Sequence, residues 1–102
     1  MKELEEALTK LADSLEKIER RAANYVRNIR GSSPQEVADD LSLWGGAGSI
    51  MDIDASQYPR EVQRAFENAA INLGRVLLAA GYNNQRMESW VNTFETWSNE
   101  NV

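Results

Sequence analysis

The sequence predicts an all-α fold in which residues 1–102 form a single domain. The predicted arrangement is a compact four-helix bundle with a long N-terminal helix and a glycine-rich loop between helices 2 and 3. Three observations support it: apolar residues recur at helical spacing along most of the chain, prolines stand where two helices begin, and glycines stand where helices end. A chain of 102 residues is also the usual size of one domain.

Residues 3–30 are predicted to form one long helix that ends before Gly31. Apolar or small residues alternate at spacings of four and three along it. Such a stripe is typical of the core-facing side of a helix in a bundle, and equally of a helix that pairs with a second copy. The stripe consists of Leu4, Leu8, Leu11, Leu15, Ile18, Ala22, Tyr25 and Ile29. A homodimer would form through Leu4, Leu8, Leu11, Leu15 and Ile18.

A capping box starts the second predicted helix, which covers about residues 34–43. We expect Ser33 to accept a hydrogen bond from the Glu36 amide, while the Glu36 side chain reaches back to the Ser33 amide. Pro34 suits the first helical position because its fixed φ angle is already helical and its missing N–H is not needed there. The glycine loop ends this helix.

The third predicted helix begins at Pro59 and ends at Gly81. Its apolar face is the widest in the chain, so it should be the most buried helix. Gly74 lies in its interior, where glycine lowers helix stability. A neighbouring helix that crosses closely at this point would explain the glycine.

Asn83 or Asn84 is expected to cap the last predicted helix, which covers about residues 84–98. The apolar stripe of this helix should pack in the core or, alternatively, present an aromatic anchor to a partner. The stripe consists of Met87, Trp90, Val91, Phe94 and Trp97.

The glycine loop before the third helix is the candidate binding site. Three glycines in four residues permit positive φ angles, and two carboxylates follow at alternate positions. A phosphate-binding loop is excluded, because no basic residue lies between Arg30 and Arg60. The loop can be a structural turn anchored by Trp44 and Ile50, a recognition surface, or a ligand-binding or catalytic site. The candidate residues are Trp44, Gly45, Gly46, Gly48, Ser49, Asp52 and Asp54.

The order Asp52, Asp54, Ser56 repeats the opening of a calcium-binding loop. The rest of that pattern fails, because Gln57 replaces the required glycine and Gln63 replaces the bidentate glutamate. We expect the two carboxylates to accept hydrogen bonds from loop amides or to cap the next helix instead. A weak divalent-metal or ligand site at this loop is the alternative.

The composition excludes several kinds of catalytic site. The chain contains no histidine and no cysteine, so Ser-His-Asp and Cys-His arrangements and zinc sites built from these residues are ruled out. Any catalysis would have to work without the commonest general base. We expect a non-enzymatic protein with no cofactor and no metal.

Charge and hydropathy bear on partners and location. The formal net charge is −5, and residues 31–102 carry four basic and ten acidic side chains. An acidic surface repels phosphate backbones and would suit a basic protein partner, so we expect no nucleic-acid partner. No apolar run is long enough to span a membrane, and the first residues do not resemble a signal peptide. We therefore expect no membrane association and a cytoplasmic location.

The stretch 44–52, Trp-Gly-Gly-Ala-Gly-Ser-Ile-Met-Asp, resembles the motif of an uncharacterised bacterial family of small helical domains. In that family a Gly-Gly-x-Gly-Ser-x-x-Asp motif lies between two helices, and the resemblance covers about residues 11–82. It departs from the family where Ala47 replaces a commoner Met and Met51 a commoner Asn. The family has no established activity, so the resemblance implies a helical fold and a bacterial or phage setting.

These observations favour a small acidic protein that binds another protein without catalysis. An immunity, antitoxin or inhibitor protein of bacterial or phage origin is the most concrete version. A structural protein that self-associates through its first helix is one alternative. A weak metal or ligand site at the glycine loop is the other.

Overall fold

A computed structural model describes residues 1–100 of the chain. Within that range the regular structure is helical, and no β-strand is present. Within residues 1–100 there are six α-helices, one of which is a single turn, and one 3₁₀ turn over Ile50–Asp52. The α-helices are α1 (Lys2–Leu15), α2 (Arg20–Asn28), α3 (Pro34–Ala38), α4 (Leu41–Trp44), α5 (Arg60–Ala79) and α6 (Gln85–Asn99).

The prediction of one long helix over residues 3–30 is wrong. The chain leaves helical geometry at Glu19, whose φ of −150° and ψ of 110° are extended, and α2 folds back along α1. Arg27 of α2 pairs with Asp13 and Glu16 at the end of α1. The fold-back brings α2 onto α1, and it divides the predicted stripe between two helices.

The core forms where α5 packs between α1 and α6, with α2 against α1. The four leucines in the α1 part of the stripe are at most 2% exposed, so the start of the chain does not project from the bundle. A Cβ added to Gly74 would collide with Val91 of α6. The predicted close helix crossing at Gly74 is confirmed.

Local signals mark the ends of the later helices. Gly81 has a φ of +90°, and the Gly81 and Tyr82 amides donate to the carbonyls of Leu78 and Leu77, which closes the end of α5. Asn84 caps α6 by accepting hydrogen bonds through its side chain from the first-turn amides. Both boundaries match their predictions.

The second predicted helix, over about residues 34–43, is divided in two. The Ser33–Glu36 capping box is present as predicted, but α3 ends at Ala38. Asp40 then starts α4 by accepting a hydrogen bond from the Leu43 amide at 3.0 Å. The described chain is therefore all-helical, with more and shorter helices than a four-helix bundle. None of its helices within residues 1–100 has the length and apolar character that crossing a membrane requires.

Candidate functional site

Trp44 anchors the glycine loop from inside the core. The side chain is 1% exposed, and its Nε1 donates to the Val37 carbonyl at 3.0 Å. The Trp44 carbonyl accepts a hydrogen bond from Trp90 Nε1 on α6, also at 3.0 Å. Ile50, at the other end of the loop, is also buried. Both residues therefore lie where a structural turn requires them, and Trp44 offers no surface to a partner.

Glycine is required at positions 45, 46 and 48 of the loop for geometric reasons. Gly46 and Gly48 have φ angles of +105° and +84°, which residues with a side chain rarely adopt. A Cβ on Gly45 would collide with the Leu41 carbonyl oxygen. The Gly48 amide donates to Asp52 Oδ2 at 3.1 Å, and the Ser49 amide donates to the Gly46 carbonyl at 2.9 Å. These two amides are therefore already paired within the loop.

The carboxylates after the loop also bond within it. Asp54 Oδ1 accepts from the Ser56 amide at 3.0 Å and from Ser56 Oγ at 2.5 Å, and these bonds lower the pKa of Asp54. Asp52 holds the Gly48 amide as described. The prediction that these carboxylates accept hydrogen bonds from loop amides is confirmed. No group of three or more potential metal-ligating side chains occurs within residues 1–100.

The fold brings arginines to the loop that are distant from it in sequence. Arg21 of α2 and Arg86 of α6 line a shallow depression of about 560 Å³ beside Gly48 and Ser49. They lie far from the glycines in sequence, so the sequence neighbours of the loop do not reveal them. The depression also contains Glu19, and the Gly48 and Ser49 amides already have partners. An anion would therefore find two cations but would not be cradled by these amides.

Asp52 and Asp54 face a second depression, which we call the aromatic groove. It has a volume of about 370 Å³ and lies between residues 51–56, α5 and α6. Among the described residues no lysine or arginine lines it, whereas three carboxylates do. The lining residues are Met51, Asp52, Ile53, Asp54, Ala55, Ser56, Gln63, Phe66, Glu67, Trp90, Phe94 and Trp97.

A row of four aromatic rings forms the wall of the groove. Phe94 occupies the centre, with Trp90 stacked against it at 5.7 Å between ring centroids. Phe66 and Trp97 meet Phe94 edge to face at 5.8 and 5.6 Å. Phe94 is buried and Trp90 partly so, but Trp97 is 39% exposed. The apolar stripe of α6 therefore packs in the core at one end and presents an indole to solvent at the other.

Glu67 lies in the groove and is 8% exposed. Its carboxylate oxygens are not among the fully buried side-chain polar atoms that lack a partner; within residues 1–100 the only such atom is Ser49 Oγ, in the glycine loop. Burial raises the pKa of Glu67, while the nearby charges of Arg64 and Arg60 on α5 act to lower it. A buried carboxylate normally has a hydrogen-bonding partner, because taking its charge out of water is costly. A cationic group of a ligand would offset part of that cost in the groove.

Glu67 is not among the candidate residues predicted from the sequence, although the sequence carries a signal for it. Glu67 precedes Ile71 by four residues and Gly74 by seven, so it lies on the same helix face as two residues assigned to the core. An acidic residue inside an apolar helix face is the pattern of a buried charge. Of the seven candidate loop residues, only Asp52 and Asp54 line the groove; the other five build or flank the loop.

Comparisons with protein-family models, with curated proteins and with solved structures give no match to this chain. The assignment of a function therefore depends on the geometry of the site itself.

Proposed function

We propose that this protein is a non-enzymatic binding module whose aromatic groove receives a basic segment of a partner protein. The observation that carries the proposal is Glu67, a carboxylate that is 8% exposed and lines the same groove as the exposed indole of Trp97. A lysine or arginine side chain meets both needs: its cationic head supplies hydrogen-bond donors, and its aliphatic stem packs on the rings.

The aromatic wall supports a cationic ligand as well as an apolar one. A cation over the face of a tryptophan is attracted by the ring's quadrupole, by about 0.5–1 kcal/mol at an exposed site and more when water is excluded. Trp90 and Trp97 are the two tryptophans that line the groove. Asp52 and Asp54 add negative charge near its edge, so the groove favours an approaching basic segment.

The overall charge agrees with the same class of partner. At a formal net charge of −5, the chain attracts a basic protein and repels an acidic one. A protein that itself binds an anionic substrate has such a basic surface. An immunity, antitoxin or inhibitor protein that covers this surface is the concrete form of the proposal, and a bacterial or phage origin is part of it.

The experiment is a selection of random dodecapeptides displayed on phage against the wild-type chain, followed by affinity measurements on synthetic copies of the enriched peptides. We expect the enriched peptides to be rich in lysine or arginine and to change the fluorescence of Trp97. Glu67→Gln should weaken their binding at least tenfold because it removes the charge that the ligand pairs with. Trp97→Ala should weaken it by a similar factor.

Two matched variants control for general effects. Glu95→Gln removes one acidic charge of α6 that pairs with Arg75 outside the groove. Leu41→Ala removes an apolar side chain that is 63% exposed at another part of the surface. Both should bind the peptides as the wild type does. Enriched peptides that lack basic residues, or that bind the Glu67→Gln and Trp97→Ala variants as tightly as the wild type, would show that the proposal is wrong.

A further inference from the structure

The turn between α1 and α2 contains no residue that breaks a helix. Neither glycine nor proline occurs between residues 2 and 30, and residues 16–20 read Glu-Lys-Ile-Glu-Arg. Glutamate, lysine and arginine are good helix formers, and isoleucine is tolerated. The stripe of apolar residues also continues through the turn without a change of spacing. Local sequence therefore favours a continuous helix at the point where the chain folds back.

The backbone of the turn is close to that continuous helix. Glu16 keeps helical dihedral angles, and the Glu19 amide still donates to the Leu15 carbonyl at 2.8 Å, as it would within a helix. The departure comes at Glu19, whose φ of −150° and ψ of 110° are extended. A rearrangement of residues 17–19 in which Glu19 takes helical dihedral angles would join α1 and α2 into one helix.

Contacts from elsewhere in the chain hold the turn in its folded form. The Ile18 carbonyl, which would accept from the Ala22 amide in a continuous helix, accepts instead from Tyr58 Oη at 2.9 Å. Arg27 bridges Asp13 and Glu16 across the turn. The Arg27 pairs are solvent-exposed, and exposed ion pairs contribute little to stability. The hydrogen bond from Tyr58 is therefore the main specific contact that opposes straightening.

From these contacts we infer that the chain forms a dimer with a second copy of itself by exchanging α1. When the turn straightens, α1 leaves its own bundle and packs against α2 and α5 of the second copy, and the second copy's α1 does the reverse. The buried contacts of α1 are then kept, since each core receives an identical helix. Only the turn differs between the two forms, so their free energies are close and protein concentration decides between them.

The test compares the wild type with two variants of the turn. Arg20→Pro places proline at the first position of α2, which tolerates it, after a residue whose extended backbone suits a following proline. The Arg20 side chain is 81% exposed, so its loss changes no core contact. In a straight helix the same proline would lie in the interior, which disfavours the exchanged dimer by about a hundredfold for each of its two turns. Arg20→Ala is the control for the lost side chain.

Each protein is refolded from denaturant at millimolar concentration, and its mass is measured by light scattering after size-exclusion chromatography. We expect a dimer for the wild type and for Arg20→Ala, and a monomer for Arg20→Pro. Tyr58→Phe removes the hydrogen bond to Ile18, so it should raise the dimer association constant by roughly fivefold per turn. It also keeps the test valid if Arg20→Pro fails to fold.

Two results would overturn the inference. Monomers at every concentration for the wild type and for Tyr58→Phe would show that the turn does not open. A dimer that is equally abundant in well-folded Arg20→Pro would show that association uses another surface and leaves the turn closed.

Discussion

The glycine loop and the aromatic groove lie side by side and share the hydrogen bond between Trp44 and Trp90, but they treat their polar groups differently. In the loop, the amides of Gly48 and Ser49 and the indole of Trp44 all have partners within the chain. The loop also contains Ser49 Oγ, the one fully buried side-chain polar atom within residues 1–100 that lacks a partner, whereas in the groove burial raises the pKa of Glu67. The backbone of the loop is therefore held mainly by hydrogen bonds within the chain, whereas the groove contains a carboxylate whose desolvation lowers stability at neutral pH.

The difference shows that a conspicuous motif need not be the binding site. The glycines draw attention in the sequence because few other features of the chain are as unusual, yet their geometry is explained by turns and close backbone approach. Functional sites are often places where stability is lower than it could be. Variants of the loop should therefore lower stability, and variants of the groove should lower binding.

The largest expected effect is that of Trp44→Ala. The substitution removes a side chain that is 1% exposed and leaves a cavity below the loop, so the free energy of unfolding should fall by about 3–5 kcal/mol. Urea denaturation measures the loss. Trp97→Ala, at a side chain that is 39% exposed, should cost less than about 1.5 kcal/mol. Equal losses at the two tryptophans would remove the distinction between loop and groove.

A smaller loss is expected for Gly48→Ala. The added methyl group meets no atom within 4 Å, so its cost comes from a φ of +84°, and about 1–2 kcal/mol is expected. Gly31→Ala is the matched control, since a methyl group there also meets open space and the backbone is not in the left-handed region. Thermal unfolding should show a lower midpoint for Gly48→Ala and an unchanged or higher one for Gly31→Ala. If both variants unfold alike, backbone conformation is not the reason for Gly48.

Unlike the two preceding substitutions, Glu67→Gln should increase the free energy of unfolding at neutral pH. Burial raises the pKa of Glu67 above 4.5 in the folded chain, against the opposing charges of Arg64 and Arg60. The protonated form is therefore favoured by folding, and this contribution is present below about pH 4.5 and lost as the pH rises through the raised pKa. Urea denaturation of both proteins should show the variant's advantage at pH 7 and little difference at pH 4. An advantage that is the same at both pH values would exclude desolvation of the charge as its cause.

Features with a local chemical signal could be predicted from the sequence. The Ser33–Glu36 capping box, the glycine that closes α5 and the Asn84 cap of α6 each depend on a few neighbouring residues, and all three occur where predicted. The close helix crossing at Gly74 could also be predicted, because glycine lowers the stability of a helix interior and its presence there indicates a closely packed neighbour. The all-helical class follows from the same periodic patterns.

Features set by contacts between distant residues could not be predicted in this way. The turn at Glu19 depends on Tyr58, forty positions after Ile18, and on a tertiary arrangement that overrides local helix propensity. The groove is assembled from residues 51–56, α5 and α6, so its parts are adjacent only after folding. Asp52 and Asp54 were identified as candidate residues from their spacing, but Glu67 and Trp97, which give the site its proposed specificity, needed the fold.

The smallest expected effect is that of Asp54→Asn, which tests the edge of the groove rather than its interior. Asp54→Asn keeps an oxygen that can accept from the Ser56 amide, so the free energy of unfolding should stay within about 0.5 kcal/mol of the wild type. Affinity for the selected basic peptides should fall only about two- to threefold, because Asp54 is exposed and its attraction is screened by water. This loss should disappear in 1 M salt, whereas the loss caused by Glu67→Gln should persist since a buried charge is screened much less. Glu3→Gln removes the same unit of charge from the first turn of α1, outside the groove, and should leave the affinity unchanged. A weakening by Glu3→Gln as large as that of Asp54→Asn would mean that net charge, rather than position in the groove, attracts the peptides.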